Sequence, residues 1–336
     1  RFSLCEAQET TYGISNDVGT DYFKSFLKME PYQFTHTLNE EEQTSSLLKL
    51  MFYYESNQFH LFQKEDENVR PYILHLSNVE FSFYMLTHML AHFQQGHYQK
   101  AHDLSAHLLK WKEASKPFMI LAKRMVLKSA FKMQKHYVIS NMYISYLKEL
   151  IEYGSYKLIS EIDYDKLLYD ASICPHKIIE SDMEQFTHLS KAQIHHILGK
   201  AFFYANDFQS CIKKIYPYIH VEEDILLLYL ICLEKTHQIE KISKLIKEVS
   251  FENEQLKKTF HIFVYKYSEV EKDVLESVKE MVLEKSFLLE DAFLLEYMMK
   301  NAQDIFLRCH LYKDSVKISN RFLELKNKLT LSSVPI

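Results

Sequence analysis

The 336-residue chain is predicted to be all-α, on three observations. Glycine is scarce, at five residues, against an ordinary usage of roughly 7 %. Proline is also sparse, at six. Between the few glycines and prolines, apolar residues recur at helical rather than alternating spacing. A β-rich or doubly wound α/β protein draws on glycine at its turns and phosphate loops, and this chain has little to spend there.

Taken in order, residues 1–70 are acidic, with six basic and twelve acidic side chains. Helices are expected at 20–29 and 40–63, joined by a loop with Pro31. This segment carries no obvious repeat turn and reads as an N-terminal helical cap or connector. A helix-turn-helix over 3–27, with Gly13 in the turn, is the alternative, which the acidic charge opposes because it disfavours contact with phosphates. From 71 to 329 the segments pair up, and 330–336 read as a tail. Pro71 and Pro117 precede long periodic segments, as first-turn prolines do. Gly96 and Gly154 fall at segment ends, and Pro175 and Pro217 mark further breaks. The absence of Met at position 1 is read as a sign that a further segment, and with it a DNA-binding domain, precedes Arg1.

One helix pair is explicit. Leu198-Gly199 is followed by Phe202, a polar Asn206-Asp207 turn, the aromatic Phe208 and the small Cys211. This stretch resembles the tetratricopeptide repeat. Gly199 would let two antiparallel helices approach, Phe202 would fill their seam, and Cys211 would keep the second helix close. Weaker copies place turn aromatics or aliphatics at Tyr98, Tyr137, Ile239 and Leu311-Tyr312. The gaps between turn positions 98, 137, 208, 239 and 312 are 39, 71, 31 and 73 residues. These are near one or two periods of about 34. The missing copies are expected near 173 and 275, where 254–267 and 270–283 remain helical in pattern. The resemblance implies a right-handed superhelical array of degenerate tetratricopeptide-like helix pairs, with a concave face for ligands.

Composition excludes some functions. With 40 basic and 45 acidic residues, the chain has no overall basic footprint for nucleic acid. Five widely spaced cysteines, with no C-x-x-C, read as reduced and mostly buried thiols of a cytoplasmic protein. The longest apolar run, from Ile225 to Leu233, is too short to span a bilayer, so no membrane contact is expected. No G-x-S-x-G, phosphate loop or dinucleotide fingerprint appears. Hence no enzyme activity, no cofactor and no catalytic residue is assigned. His88 and His92 share a helix face, as zinc ligands can, but Met89 stands where a metalloprotease glutamate would. These histidines, with His97, His102, His107 and His195-His196, read as surface or seam residues, and no metal site is assigned. Arg124, Lys128, Lys132 and Lys135 run along one helix face, either as a solvated face or as an anion site.

In a paired-helix array the first helix of each pair lines the concave surface, and positions offset from the seam face the groove. In the clear repeat these include Gln193, His196, Lys200, Phe203 and Tyr204. Met125, Ser129, Lys132 and Met133 occupy them in the Tyr137 repeat, and Lys300, Asp304 and Arg308 in the last. Lys132 or Arg308 reaching inward would clamp a carboxylate, and Asp304 an amine. The candidate peptide-binding residues are therefore Ser129, Lys132, Gln193, His196, Lys200, Tyr204, Asp304 and Arg308.

Residues 45–63 form an early helix pair with Asn57 at its break. Residues 179–219 run from Glu180-Ser181-Asp182 through a long helix to the Asn206-Asp207 turn. On these two stretches the chain resembles the cytosolic peptide-pheromone receptors of Gram-positive bacteria and their phages, and within that group the arbitrium receptors. The resemblance implies a receptor in which a short signalling peptide enters the concave groove and shifts conformation or oligomeric state. DNA binding would then change through an N-terminal domain that is not recognisable in this chain. A homodimer through 305–329 is implied by analogy. The alternative is a repeat scaffold or adaptor for a protein partner.

Overall fold

A computed structural model describes residues 42–251, 254–267, 272–283 and 291–331. These residues form sixteen α-helices, a few short 3-10 turns and no strand. The expected helix at 20–29, the alternative helix-turn-helix over 3–27 and all but two residues of the tail lie outside the described residues. The chain divides into two compact units. The first comprises the described residues up to Ala130 together with Val138–Ile159. The second comprises Phe131–Tyr137 and the residues from Ser160 onward.

In the first unit, α1 (Glu42–Glu55) pairs with α2 (Phe59–Val69), and α3 (Asn78–Gln94) with α4 (Tyr98–Lys110), while α1 also packs on α3. Helices α5 (Lys116–Lys132) and α6 (His136–Tyr153) follow. Leu47, Met51, Phe83, Met89, Leu108 and Leu121 fill the core, each inward-facing on its helix. Pro117 does stand in the first turn of α5. Pro71 does not open a long helix: it sits in a 3-10 turn, and α3 begins at Asn78 under a capping box made by Ser77 and Glu80. Asp66, 3 % exposed, accepts bonds from Tyr84 at 2.7 Å and Arg70 at 2.8 Å and meets His88 Nε2 at 2.9 Å. These contacts outweigh the upward push of burial and lower its carboxyl to about 2.

The second unit contains most of α7 (Tyr156–Ile173), the short α8 (Pro175–Glu180) and the pair α9 (Lys191–Tyr204) and α10 (Phe208–Ile215). Next come α11 (Glu223–Lys235) and α12 (Ile239–Leu245), then α13 (Glu254–Tyr267) and α14 (Lys272–Leu283). The last pair is α15 (Ala292–Arg308) and α16 (Tyr312–Leu331). Helix α11 is apolar around its whole circumference, and every residue from Ile225 to Leu233 is buried. It is the central helix of this unit, packed against α9, α10, α12 and α13.

Helix-to-helix turns repeat one backbone device. Asn57, Gly96, Gln134, Gly154, Asn206, His237 and His310 all take positive φ, between 55° and 78°. The next helix begins two residues later each time, at Phe59, Tyr98, His136, Tyr156, Phe208, Ile239 and Tyr312. At Asn206 the amide donates to Phe203 O at 3.0 Å, and Asp207 N to Phe202 O at 2.9 Å, a Schellman closure of α9. The same pair of bonds closes the turns at 57, 96, 154, 237 and 310. This register corrects two sequence readings. The turn near 137 is set by the left-handed Gln134, and the position that opens the next helix is His136, one residue before Tyr137. The segment before residue 70 does carry the repeat turn, at Asn57-Gln58-Phe59, so α1 and α2 are an ordinary pair.

Gly199 is the close-approach position of the α9–α10 pair. A Cβ built there would stand 2.2 Å from Ile215 Cγ2, a buried β-branched side chain with little room to turn. Gly199→Ala is therefore expected to overpack this seam by roughly 1–3 kcal/mol, while alanine's better helix propensity returns about 1 kcal/mol. The remaining loss, up to about 2 kcal/mol, should appear as a lowered urea midpoint in far-ultraviolet circular dichroism, and a raised midpoint would refute the close approach.

Candidate functional site

Helix caps place the side chains of the second unit. Ser190 and Gln193 form the capping box of α9. Gln193 is therefore engaged at a helix start, its Oε1 accepting from Ser190 N at 2.9 Å. Asp291 caps α15 by accepting from Phe293 N at 3.0 Å and Leu294 N at 3.1 Å. Its other carboxylate oxygen pairs with Lys132 Nζ at 3.2 Å. One residue thus starts α15 and holds the lysine at the end of α5.

Four of the residues singled out in the sequence meet in one charged region. Lys132, His196, Lys200 and Tyr204 are coupled through Asp224 and Asp291. His196 is 5 % exposed; its Nδ1 lies 2.7 Å from Tyr164 Oη and 3.6 Å from Glu222. Tyr164 also donates to Glu222 at 3.1 Å. The His196 contact leads in holding the Glu222 carboxyl below its usual range, against the opposing push of burial. Lys200 lies over the Phe293 ring, 6.0 Å from its centroid. Burial, helped by the nearby Lys132, lowers its ammonium pKa despite Asp291, Asp224 and Asp165. Burial tends to raise the Asp224 carboxyl, but Lys132, His196 and Lys200 together bring it below its usual range.

Asp304 and Arg308 belong to a second network. Lys266 Nζ pairs with Glu234 at 2.6 Å and Asp304 at 3.1 Å, and donates to Asn301 Oδ1 at 2.9 Å. Arg308 Nη1 donates to the backbone oxygen of Lys266 at 2.7 Å. Tyr297 and Tyr267 donate to the two Glu234 oxygens at 2.6 Å and 2.9 Å. Ser129 stands apart in the first unit, fully buried, with no hydrogen-bond partner for its hydroxyl among the described residues.

Within the second unit lies a cavity of about 400 Å³. Its wall carries the rings of His136, Phe203, Tyr204, Phe293, Tyr297 and Phe322. Phe203, Tyr204 and Phe293 contact one another with centroids 5.4 to 6.1 Å apart. Lys235, Lys300 and Lys326 line the same cavity against a single acid, Glu296. Burial, followed by Asp291 and Glu296, pushes the Tyr204 hydroxyl above its ordinary pKa. Of the groove positions expected from the sequence, Met133, Phe203, Tyr204 and Lys300 line this cavity and Met125, in the first unit, does not; Lys235, Phe293 and Tyr297 line it without having been among those positions. The turn register holds the signal for Lys235. It stands two residues before the positive-φ His237, as Lys132, Tyr204 and Arg308 stand two before Gln134, Asn206 and His310.

The arrangement offers binding chemistry, with apolar rings for a hydrophobic body and ammonium groups for an anion. Among the described residues no cluster of three His, Cys, Asp or Glu side chains is arranged to hold a metal ion, and no helix is long and apolar enough to cross a membrane. Cys211 and Cys232 are buried, Cys309 is partly exposed and Cys174 is exposed, all as free thiols. Comparison of the chain with protein families, curated proteins and solved structures finds no match.

Proposed function

We propose that the chain is a receptor for a short signalling peptide, with transcription as its output. The observation that carries this reading is the ring-lined, lysine-bearing cavity of about 400 Å³ in the second unit. That volume lies within the range of small-ligand pockets, roughly 300–1,000 Å³. It accommodates a few residues of an extended peptide and excludes a folded partner. The recurrent turn and the paired helices support the finer fold reading, a right-handed superhelical array of tetratricopeptide-like pairs. The peptide's effect is a shift between conformations or oligomeric states, limited by its differential affinity for them. DNA contact belongs to an N-terminal domain not recognisable in this chain. A homodimer through the last helices is supported by Tyr312, Val316 and Leu323, which share one face of α16 and are 61 %, 58 % and 55 % exposed.

A scaffold role is the second reading. It is favoured by Ile144 and Ile151 on α6, seven residues apart and 56 % and 62 % exposed, a spacing suited to a partner helix. Native mass spectrometry of the protein isolated from its own host separates the two. A retained ligand of peptide mass, lost from an Ala292→Trp variant whose indole fills the cavity, supports the receptor. A retained protein partner, unaffected by Ala292→Trp, supports the scaffold. The same spectrum reads monomer or dimer.

A further inference from the structure

Several lysines of the second unit meet a carboxylate. Lys132 has Asp291 at 3.2 Å, Lys166 has Asp170 at 2.5 Å, and Lys266 has Glu234 at 2.6 Å. Lys235 and Lys300 are not among them. Both line the cavity, and among the described residues neither has a carboxylate within 4.0 Å. The acid next to Lys235 in sequence, Glu234, is committed elsewhere: Oε1 takes Lys266 and Tyr267, and Oε2 takes Tyr297. Glu296, one helical turn before Lys300 and on the same wall, also leaves that lysine without an ion pair. The two ammonium groups stand near enough to act on each other. Burial, then Lys300, lowers the Lys235 pKa, and the adjacent Glu234 does not reverse this. Two like charges facing a cavity, beside Phe293 and Tyr297, form an incomplete ion cluster whose missing member is an anion.

We propose that Lys235 and Lys300 together hold one carboxylate of the cavity's ligand, with the neighbouring apolar or aromatic side chain of that ligand against Phe293 and Tyr297. The assignment rests on reading this cavity as the peptide site, and adds to it the chemistry of the anchoring group. A singly charged carboxylate fits better than a phosphate. The acid Glu296 shares the wall, and the amides at the start of α15 are already taken by Asp291.

The test is calorimetric titration of the full chain with three probes: acetyl-Leu-Phe as the free acid, the same dipeptide as its amide, and acetyl-Asp-Phe-amide. The wild type should bind the free acid or the aspartyl amide at least tenfold more tightly than the neutral amide. Which of the two gains shows whether the anchor is a terminal or a side-chain carboxylate. The Lys235→Gln/Lys300→Gln variant, altered at exposed positions, should erase that preference and keep the neutral amide's affinity. Equal binding of all three probes by the wild type would overturn the anchor. So would a preference that survives the double variant. If Ala292→Trp abolishes binding in that case, the cavity remains the site and only the anchor is wrong. Failure of the wild type to bind any probe would remove the anchor and the cavity reading together.

Discussion

Glu234→Ala is expected to destabilise the second unit by about 2–4 kcal/mol, somewhat less than removal of one member of a fully buried ion pair, because Glu234 and Lys266 are only partly buried. The side chain sits at the end of the apolar helix α11 and accepts three bonds, from Lys266, Tyr267 and Tyr297. Alanine strands two tyrosine hydroxyls, one on the 8 %-exposed Tyr297, without their acceptor. Lys266 keeps Asp304 and Asn301, which places the loss near the lower end of that range. Glu234→Gln keeps the shape and one acceptor and should lose less. Hydrogen exchange resolved by peptide should show the loss in α11, α13 and α15. Exchange there unchanged from wild type would mean the network contributes nothing. The pH dependence follows from the same bonds. Burial alone would raise the Glu234 carboxyl, but Lys266, Tyr297 and Tyr267 together lower it. Its contribution is present above the ordinary carboxyl value and is lost as pH falls through the lowered one.

His92 should make the first unit acid-sensitive, by about 3 kcal/mol between pH 6.5 and pH 4. Its ring lies between His88 and His97, with centroids 6.1 and 5.8 Å away. No hydrogen-bond partner reaches its Nδ1 among the described residues. Burial, then His88, His97 and Lys100, lower its pKa to about 4, only partly opposed by Asp66. The folded-state value lies below the unfolded one, so the unfolded chain takes up the proton first. Stability is therefore full above about pH 6.5 and falls until His92 is charged in both states. Asp66 adds a second, lower window. Its pKa of about 2 means that its stabilisation is lost as pH drops from the ordinary carboxyl range toward that value. The single tryptophan, Trp111, stacks on Phe81 at 4.5 Å within this unit and reports on it. Denaturant midpoints from its fluorescence should fall from pH 7 to pH 4 in the wild type and stay flatter in His92→Leu. Parallel profiles for the two proteins would exclude His92 as the cause.

The helical class was legible because scarce glycine and helical periodicity act on every segment at once. The turns were legible where residue type matched backbone need. Asn tolerates positive φ, so Asn206-Asp207-Phe208 could be read directly. Gln134, His237 and His310 take the same conformation, at φ of 55°, 56° and 58°, with side chains that do not announce it. After Gln134 the helix-opening position is His136, one residue before the Tyr137 that the sequence suggests. The site was legible only in part for a related reason. Groove positions could be estimated from the periodicity of one helix, which found Tyr204 and Lys300. The ion pairs that fix the charged groups join helices distant in sequence, such as Lys132 to Asp291, and no local pattern encodes them.

The seven turns with a common offset bear on how such a chain can change over time. A connection that always restarts a helix two residues after a left-handed residue is a standard joint. Each unit's contacts are then largely between neighbours. A helix pair can be duplicated or deleted at such a joint without a new linker having to evolve. Because the joint is specified by backbone conformation, the side chains around it are left to drift, and lineages built this way would keep their architecture long after their sequences had ceased to resemble one another.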